Sequence, residues 1–99
     1  GFKWLKKSAK NNFLYAQYHL GGMYKNSIGC KKNIKKSIIW YQKAAKSGYP
    51  YAHYQLAVIY KKEDKQKAYS HAKKAYRKSN PVPFNKKVKS LILELKESL

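Results

Sequence analysis

An internal repeat is the feature of this sequence that most limits its fold. When the chain is shifted by 36 residues and laid over itself, ten of the 22 positions from residue 4 to residue 25 carry identical residues. The matching pairs include Trp4 with Trp40 and Tyr24 with Tyr60. A self-overlay at this period is typical of repeat proteins, in which each unit buries its apolar face only against its neighbours.

Each repeat unit shows the spacing of two helices. Between residues 37 and 48, small and apolar residues recur at the i, i+3, i+4 and i+7 positions of one helical face. These residues are Ser37, Trp40, Tyr41, Ala44, Ala45 and Gly48. Gly48 suits a helix C-terminus and Pro50 the first turn of the next helix. Asn33 and Asp64 suit helix N-caps. Strand-like alternation is absent, so the sequence predicts an all-α chain.

Three blocks of residues resemble the Sel1-like repeat family, whose units are related to tetratricopeptide solenoids. The first block holds Trp40-Tyr41, Lys43-Ala44-Ala45 and Gly48; the second holds Ala16, Leu20, Gly21 and Tyr24, and recurs as Ala52, Leu56, Ala57 and Tyr60; the third is the substituted connector from Tyr24 to Ser37. The resemblance covers about residues 3 to 79. It implies a short right-handed α-solenoid of stacked antiparallel helix pairs. We expect structural roles for Trp4, Trp40, Tyr24, Tyr60, Leu20, Leu56, Gly21 and Gly48, with the four large aromatics largely buried and Gly21 at a close helix approach.

The C-terminal segment follows a different pattern. Pro81-Val82-Pro83 predicts the end of the third unit, and a new helix is expected from about Asn85. One face of that helix carries Val88, Leu91, Ile92, Leu95 and Leu99, while Leu93 falls off this stripe. We predict a capping helix. The expected organisation is a single domain, with a solenoid over 1–80 (units about 3–36, 37–67 and a partial 68–80) and a cap over 81–99.

The chain is strongly basic, with 23 Lys and Arg, 4 Asp and Glu, and a formal net charge of +19. Codon bias of an AT-rich genome would account for part of this charge, because all but one of the basic residues are lysine. The positions of the basic residues within the repeats also favour an acidic partner. Opposite the predicted buried stripe, eight of nine positions in three repeat-registered lanes are basic. The lanes are Lys6, Gln42 and Lys73; Lys7, Lys43 and Lys74; and Lys10, Lys46 and Arg77.

The sequence offers no recognisable catalytic or metal-binding pattern. Cys30 occupies the position of a connector valine, so it is interpreted as a small, buried apolar residue. His19, His53 and His71 lack paired metal-ligand spacing. The four acids show no paired acid–base arrangement, and no glycine loop suited to phosphates is present. We therefore predict no enzyme activity, metal or cofactor. The apolar runs are too short to span a membrane.

Two classes of function remain after these exclusions. The resemblance implies a protein–protein interaction module, whose basic concave face would receive an acidic protein. One version is a bacterial toxin-neutralising (immunity) protein, a part that some small Sel1-like proteins play. The alternative is binding of nucleic acid or another anionic surface, against which stands the near absence of arginine. No signal peptide is visible, so the compartment is open between the bacterial cytoplasm and, if a leader precedes Gly1, the periplasm or the exterior.

Overall fold

The computed structural model describes residues 2–11 and 13–99, which form six helices and no strand. The helices are α1 (Phe2–Lys10), α2 (Leu14–Asn26), α3 (Ile34–Lys46), α4 (Pro50–Tyr60), α5 (Lys65–Ala75) and α6 (Val82–Ser98). They group into two compact units, Gly1–Tyr49 with α1 to α3 and Pro50–Leu99 with α4 to α6. The all-α class predicted from the sequence is confirmed.

In the first unit, α1 and α2 form an antiparallel pair. At one end of the pair, the Phe2 ring meets the Tyr24 ring edge-on, with the ring centroids 5.4 Å apart. At the other end, the Gln17 side-chain amide donates a hydrogen bond of 3.3 Å to the Ala9 carbonyl. Tyr24 and Leu20 are buried in the core between the helices, as predicted.

The contact between α2 and α3 depends on the absence of a side chain at Gly21. A Cβ atom at Gly21 would lie 2.9 Å from two carbon atoms of the buried Tyr41 ring, closer than real Cβ contacts allow. The Ser37 hydroxyl donates a hydrogen bond of 2.8 Å to the Gly21 carbonyl across the same contact. The close helix approach predicted at Gly21 is therefore confirmed, and it outweighs the cost of glycine inside a helix.

The two repeat-related tryptophans occupy different environments. Trp40 is 9% exposed and packs in the core cluster with Leu20 and Tyr24, whereas Trp4 is 67% exposed. The prediction that Trp4 is buried was wrong. Trp40 on α3 packs onto residues of the earlier helices α1 and α2, but within residues 2–11 and 13–99 no helix precedes α1 to cover Trp4.

The predicted helix caps and turns are present. Asn33 accepts a hydrogen bond of 3.0 Å from the Lys36 backbone N–H, and Asp64 accepts one of 3.0 Å from the Lys67 N–H. Each side chain thus satisfies a backbone donor of the first turn that has no partner within the helix. Gly48 follows α3 with a φ of 94°, a left-handed value that favours glycine.

In the second unit, α6 packs on α5 through the predicted stripe. Leu91 and Leu95 form a core cluster with three alanines of α4 and α5, and the small alanine side chains leave room for the leucines. The three alanines are Ala57, Ala68 and Ala72. Tyr60 is only partly buried beside this cluster, less than predicted. Leu93 lies outside the stripe and is exposed, as predicted, whereas the prediction that Leu99 belongs to the stripe was wrong, because Leu99 is exposed beyond the end of α6.

The helix α6 begins three residues before the predicted start near Asn85. Val82 and Pro83 occupy its first turn, where a proline is tolerated because backbone N–H groups there have no acceptor within the helix. The preceding helix α5 ends earlier than the prolines, at Ala75. The Asn80 side chain donates a hydrogen bond of 2.8 Å to the Ala75 carbonyl, which satisfies an acceptor at the end of α5.

Candidate functional site

Helix α1 presents a lysine-rich surface in the first unit. Lys3, Lys7 and Lys10 are exposed and Lys6 is half-buried, and these four side chains line a concavity of about 290 Å³. They follow the i, i+3, i+4, i+7 spacing of one helical face. The first residue of each of the three predicted lanes, Lys6, Lys7 or Lys10, therefore lies on this one face of α1.

Helix α3 also exposes the predicted polar face. Its buried residues are Ser37, Trp40, Tyr41, Ala44 and Ala45, which is the predicted stripe. Gln42, Lys43 and Lys46 are exposed on the other side of the helix. The Lys43 ammonium lies over the ring of Trp40, 4.8 Å from its centroid. This cation–π contact orients one of the predicted partner-binding lysines.

In the second unit, the predicted partner-binding residues do not all belong to one helix. Lys73 and Lys74 are exposed on α5, and the Lys73 ammonium lies 4.4 Å from the centroid of the Tyr69 ring. Arg77, by contrast, lies in the connector after α5, where its carbonyl accepts a hydrogen bond of 2.8 Å from the Asn85 side chain. The helical position assumed for Arg77 was therefore wrong, because Tyr76 takes an extended conformation and ends the helix.

The two units differ in their balance of charge. The first unit contains eleven lysines and no aspartate or glutamate, so all four acids of the chain belong to the second unit. In the second unit, Lys61 forms an ion pair with Glu94. The first unit has no carboxylate of its own to neutralise its ammonium groups.

A second group of lysines surrounds the start of α3. Lys6, Lys31, Lys32 and Lys36 line a pocket of about 550 Å³ in the first unit. Burial and the charge of Lys32 lower the pKa of the neighbouring Lys25, as expected where ammonium groups are crowded. The spacing along one helical face does not predict this group, because its lysines belong to α1, α3 and the connector before α3. The detectable signal was the pair of lysines on each side of the Asn33-Ile34 dipeptide.

Two histidines that lack paired spacing in the sequence meet in the second unit. The Nδ1 atoms of His53 on α4 and His71 on α5 are 3.1 Å apart, and the Tyr60 ring stacks on His71 at 6.0 Å. His53 lies seven residues before the end of α4 and His71 six residues after the start of α5, and this nearly symmetrical placement about the turn was the missed signal. Among residues 2–11 and 13–99, no group of three or more His, Cys, Asp or Glu is arranged to hold a metal ion.

The pKa of His71 is lowered to about 4, first by burial and then by the positive charges of His53, Lys74 and Lys67. Because the folded state disfavours the charged ring, the unfolded state takes up a proton more readily than the folded state between about pH 6.5 and pH 4. The free energy of unfolding is therefore at its full value above about pH 6.5 and decreases as the pH falls from there towards 4. The ring is only partly buried, so solvent screens part of the effect, and we expect a loss of about 1–2 kcal/mol.

Urea unfolding followed by circular dichroism between pH 7 and pH 4 measures this loss. A His71→Gln variant should lose less stability over this range than the parent protein. His19→Gln, which alters a histidine of the first unit, should follow the parent protein. All three proteins contain the same four carboxylates, so the comparison isolates the effect of the histidine. Identical pH profiles for the parent protein and His71→Gln would contradict the assignment.

Two units of three helices each, in which every helix packs on the next one within its unit, with basic exposed surfaces, define a helical-repeat protein. The Sel1 repeat model matches residues 1–13, 14–49 and 50–80, so the chain belongs to the Sel1 repeat family. A crystal structure of a Sel1 repeat protein from Oxalobacter formigenes is similar, with 37% sequence identity and a TM-score of 0.69. The match covers 75% of this chain and 32% of that one, so the chain spans about a third of its length. A comparison with curated proteins gives no significant match.

Family membership gives a general class of function. Sel1 repeat proteins generally act as protein-interaction modules and are typically non-enzymatic scaffolds. Among the described helices, none is long and apolar enough to cross a membrane.

Proposed function

We propose that this chain is a non-enzymatic interaction module that binds an acidic protein through lysines of α1, α3 and α5, the first helix of each predicted pair, and through Arg77 in the connector after α5. The proposal rests on the first unit, which carries eleven lysines without a single carboxylate. An acidic partner would supply the missing negative charge, and charge complementarity of this kind accelerates association and selects against basic partners.

The proposed contact residues belong to both units, and each set is defined within its own unit. In the first unit they are Lys6, Lys7, Lys10, Gln42, Lys43 and Lys46, and in the second unit Lys73, Lys74 and Arg77. Lys43 and Lys73 are held over aromatic rings, which reduces the side-chain entropy lost on binding. Toxin neutralisation is a narrower form of the proposal, for which a neighbouring toxin gene would be the first evidence.

A charge-reversal experiment tests the proposal. The variant carries Lys10→Glu, Lys46→Glu and Arg77→Glu, and the matched control carries Lys62→Glu, Lys87→Glu and Lys96→Glu, which change net charge equally at other exposed positions. Proteins captured from the native host are identified by mass spectrometry, and their binding rates are measured. We expect the association rate of the acidic partner to fall about tenfold or more in the variant only, with a smaller change in dissociation.

Binding to duplex DNA tests the alternative function directly. A basic surface without nucleic-acid specificity should bind random-sequence DNA only with a Kd on the order of 10⁻⁴ to 10⁻⁶ M at physiological salt. We expect this weak binding from the parent protein. Submicromolar binding at about 150 mM salt that the Lys10, Lys46 and Arg77 reversals abolish and the control reversals preserve would overturn the proposal in favour of a nucleic-acid-binding protein.

A further inference from the structure

The pocket at the start of α3 is a separate concave site within the first unit and shares only Lys6 with the proposed partner surface. Helix α1 supplies Lys6, the connector between α2 and α3 supplies Lys31 and Lys32, and the first turn of α3 supplies Lys36. The volume of about 550 Å³ lies within the range of roughly 300–1,000 Å³ that is usual for small-molecule sites.

The backbone around these lysines is fixed by hydrogen bonds. The Asn33 N–H donates to the Tyr24 carbonyl at 2.9 Å, which joins the end of the connector to α2. The Asn33 side chain in turn caps α3. The positive end of the dipole of this 13-residue helix therefore adds to the four ammonium charges. With no carboxylate in the unit, an anion in the pocket would relieve repulsion that nothing else in the unit offsets.

The pocket also has an aromatic side chain in its lining. Phe2 and Tyr24 both line the pocket, with their rings packed edge-on at 5.4 Å, but Tyr24 is only 6% exposed, so the accessible aromatic surface is that of the partly exposed Phe2. The Lys36 ammonium lies 5.5 Å from the centroid of the Tyr24 ring, so the cationic and aromatic parts of the lining adjoin one another. Such a lining suits an anion that carries an organic group as well as its charge.

We propose that this pocket binds a small organic polyphosphate, with the phosphoryl groups among Lys6, Lys31, Lys32 and Lys36 and the organic group against Phe2. Phosphoryl groups concentrate several charges in a compact volume, and lysine binds phosphate as a point charge. An extended acidic peptide is a poorer match, because its residues are spaced about 3.3 Å apart and point to alternate sides. The proposal does not depend on the acidic protein partner.

Calorimetric titration with ATP at about 150 mM salt tests the site. The pocket variant carries Lys31→Gln, Lys32→Gln and Lys36→Gln, and the matched control carries Lys62→Gln, Lys87→Gln and Lys96→Gln. All six lysines are exposed, so both variants should fold, which circular dichroism verifies. We expect the pocket variant to weaken ATP binding about tenfold or more and the control by less than about twofold. Equal weakening in both, or no binding to the parent protein, would overturn the proposal.

Three further probes define the chemistry of the ligand. Adenosine should not bind detectably, because it lacks phosphoryl groups. Tripolyphosphate should bind more weakly than ATP, because it has no organic group to place against Phe2. A hexaglutamate peptide should bind at least about tenfold more weakly than ATP, despite its larger charge. A peptide affinity equal to that of ATP would overturn the phosphate assignment, and equal affinity for tripolyphosphate and ATP would overturn the role of Phe2.

Discussion

Replacing Trp40 with alanine should lower the free energy of unfolding by about 3–5 kcal/mol. The Trp40 ring is buried with Leu20 and Tyr24 in the core of the first unit, so its removal leaves a cavity between α3 and the helices before it. A loss of this size is a large share of the total stability of a small domain, about 5–15 kcal/mol. Urea unfolding followed by circular dichroism at a helix-sensitive wavelength measures it without relying on tryptophan fluorescence.

Trp4→Ala is the matched control, because Trp4 occupies the same repeat position and is exposed. We expect this change to cost less than about 0.5 kcal/mol, as is usual for surface substitutions. Comparable losses for the two variants would show that burial of Trp4 and Trp40 is the same and would contradict the described packing.

Leu95→Ala in α6 should lower the free energy of unfolding by about 2–5 kcal/mol. Leu95 is 1% exposed and packs against the alanines of α4 and α5. The alanine side chains are too short to fill the cavity that the substitution leaves. Leu93→Ala, two residues earlier on the same helix, removes the same atoms from a side chain that is 58% exposed. Its expected cost is under about 0.5 kcal/mol. If both leucines proved equally dispensable, α6 would not be part of the core.

The buried core residues were predictable wherever small and apolar residues are spaced along one face of a helix. The spacing from Ser37 to Ala45 identified the buried stripe of α3, and the spacing of Val88, Leu91 and Leu95 identified that of α6. The caps at Asn33 and Asp64 were predictable for the same reason, since capping is a local interaction between a side chain and the next turn.

Features that depend on the neighbouring helices were not predictable from the repeat. Trp4 and Trp40 are identical in the overlay, but burial requires an earlier helix, which Trp40 has and Trp4 lacks among the described residues. The meeting of His53 and His71 depends on the pairing of two helices rather than on spacing within one. Arg77 was misplaced because the end of α5 is determined by the connector that follows, including the contacts of Asn80.

The absence of acidic residues from the first unit has a consequence for how that unit folds in different buffers. Like charges gathered in one compact body repel each other, and mobile counterions from solution must offset the repulsion. The Debye length shrinks from about 30 Å at 0.01 M salt to about 8 Å at 0.15 M. Dissolved ions therefore act as a component of the first unit, which should gain more stability from added salt than the second unit, where four carboxylates already provide part of this screening.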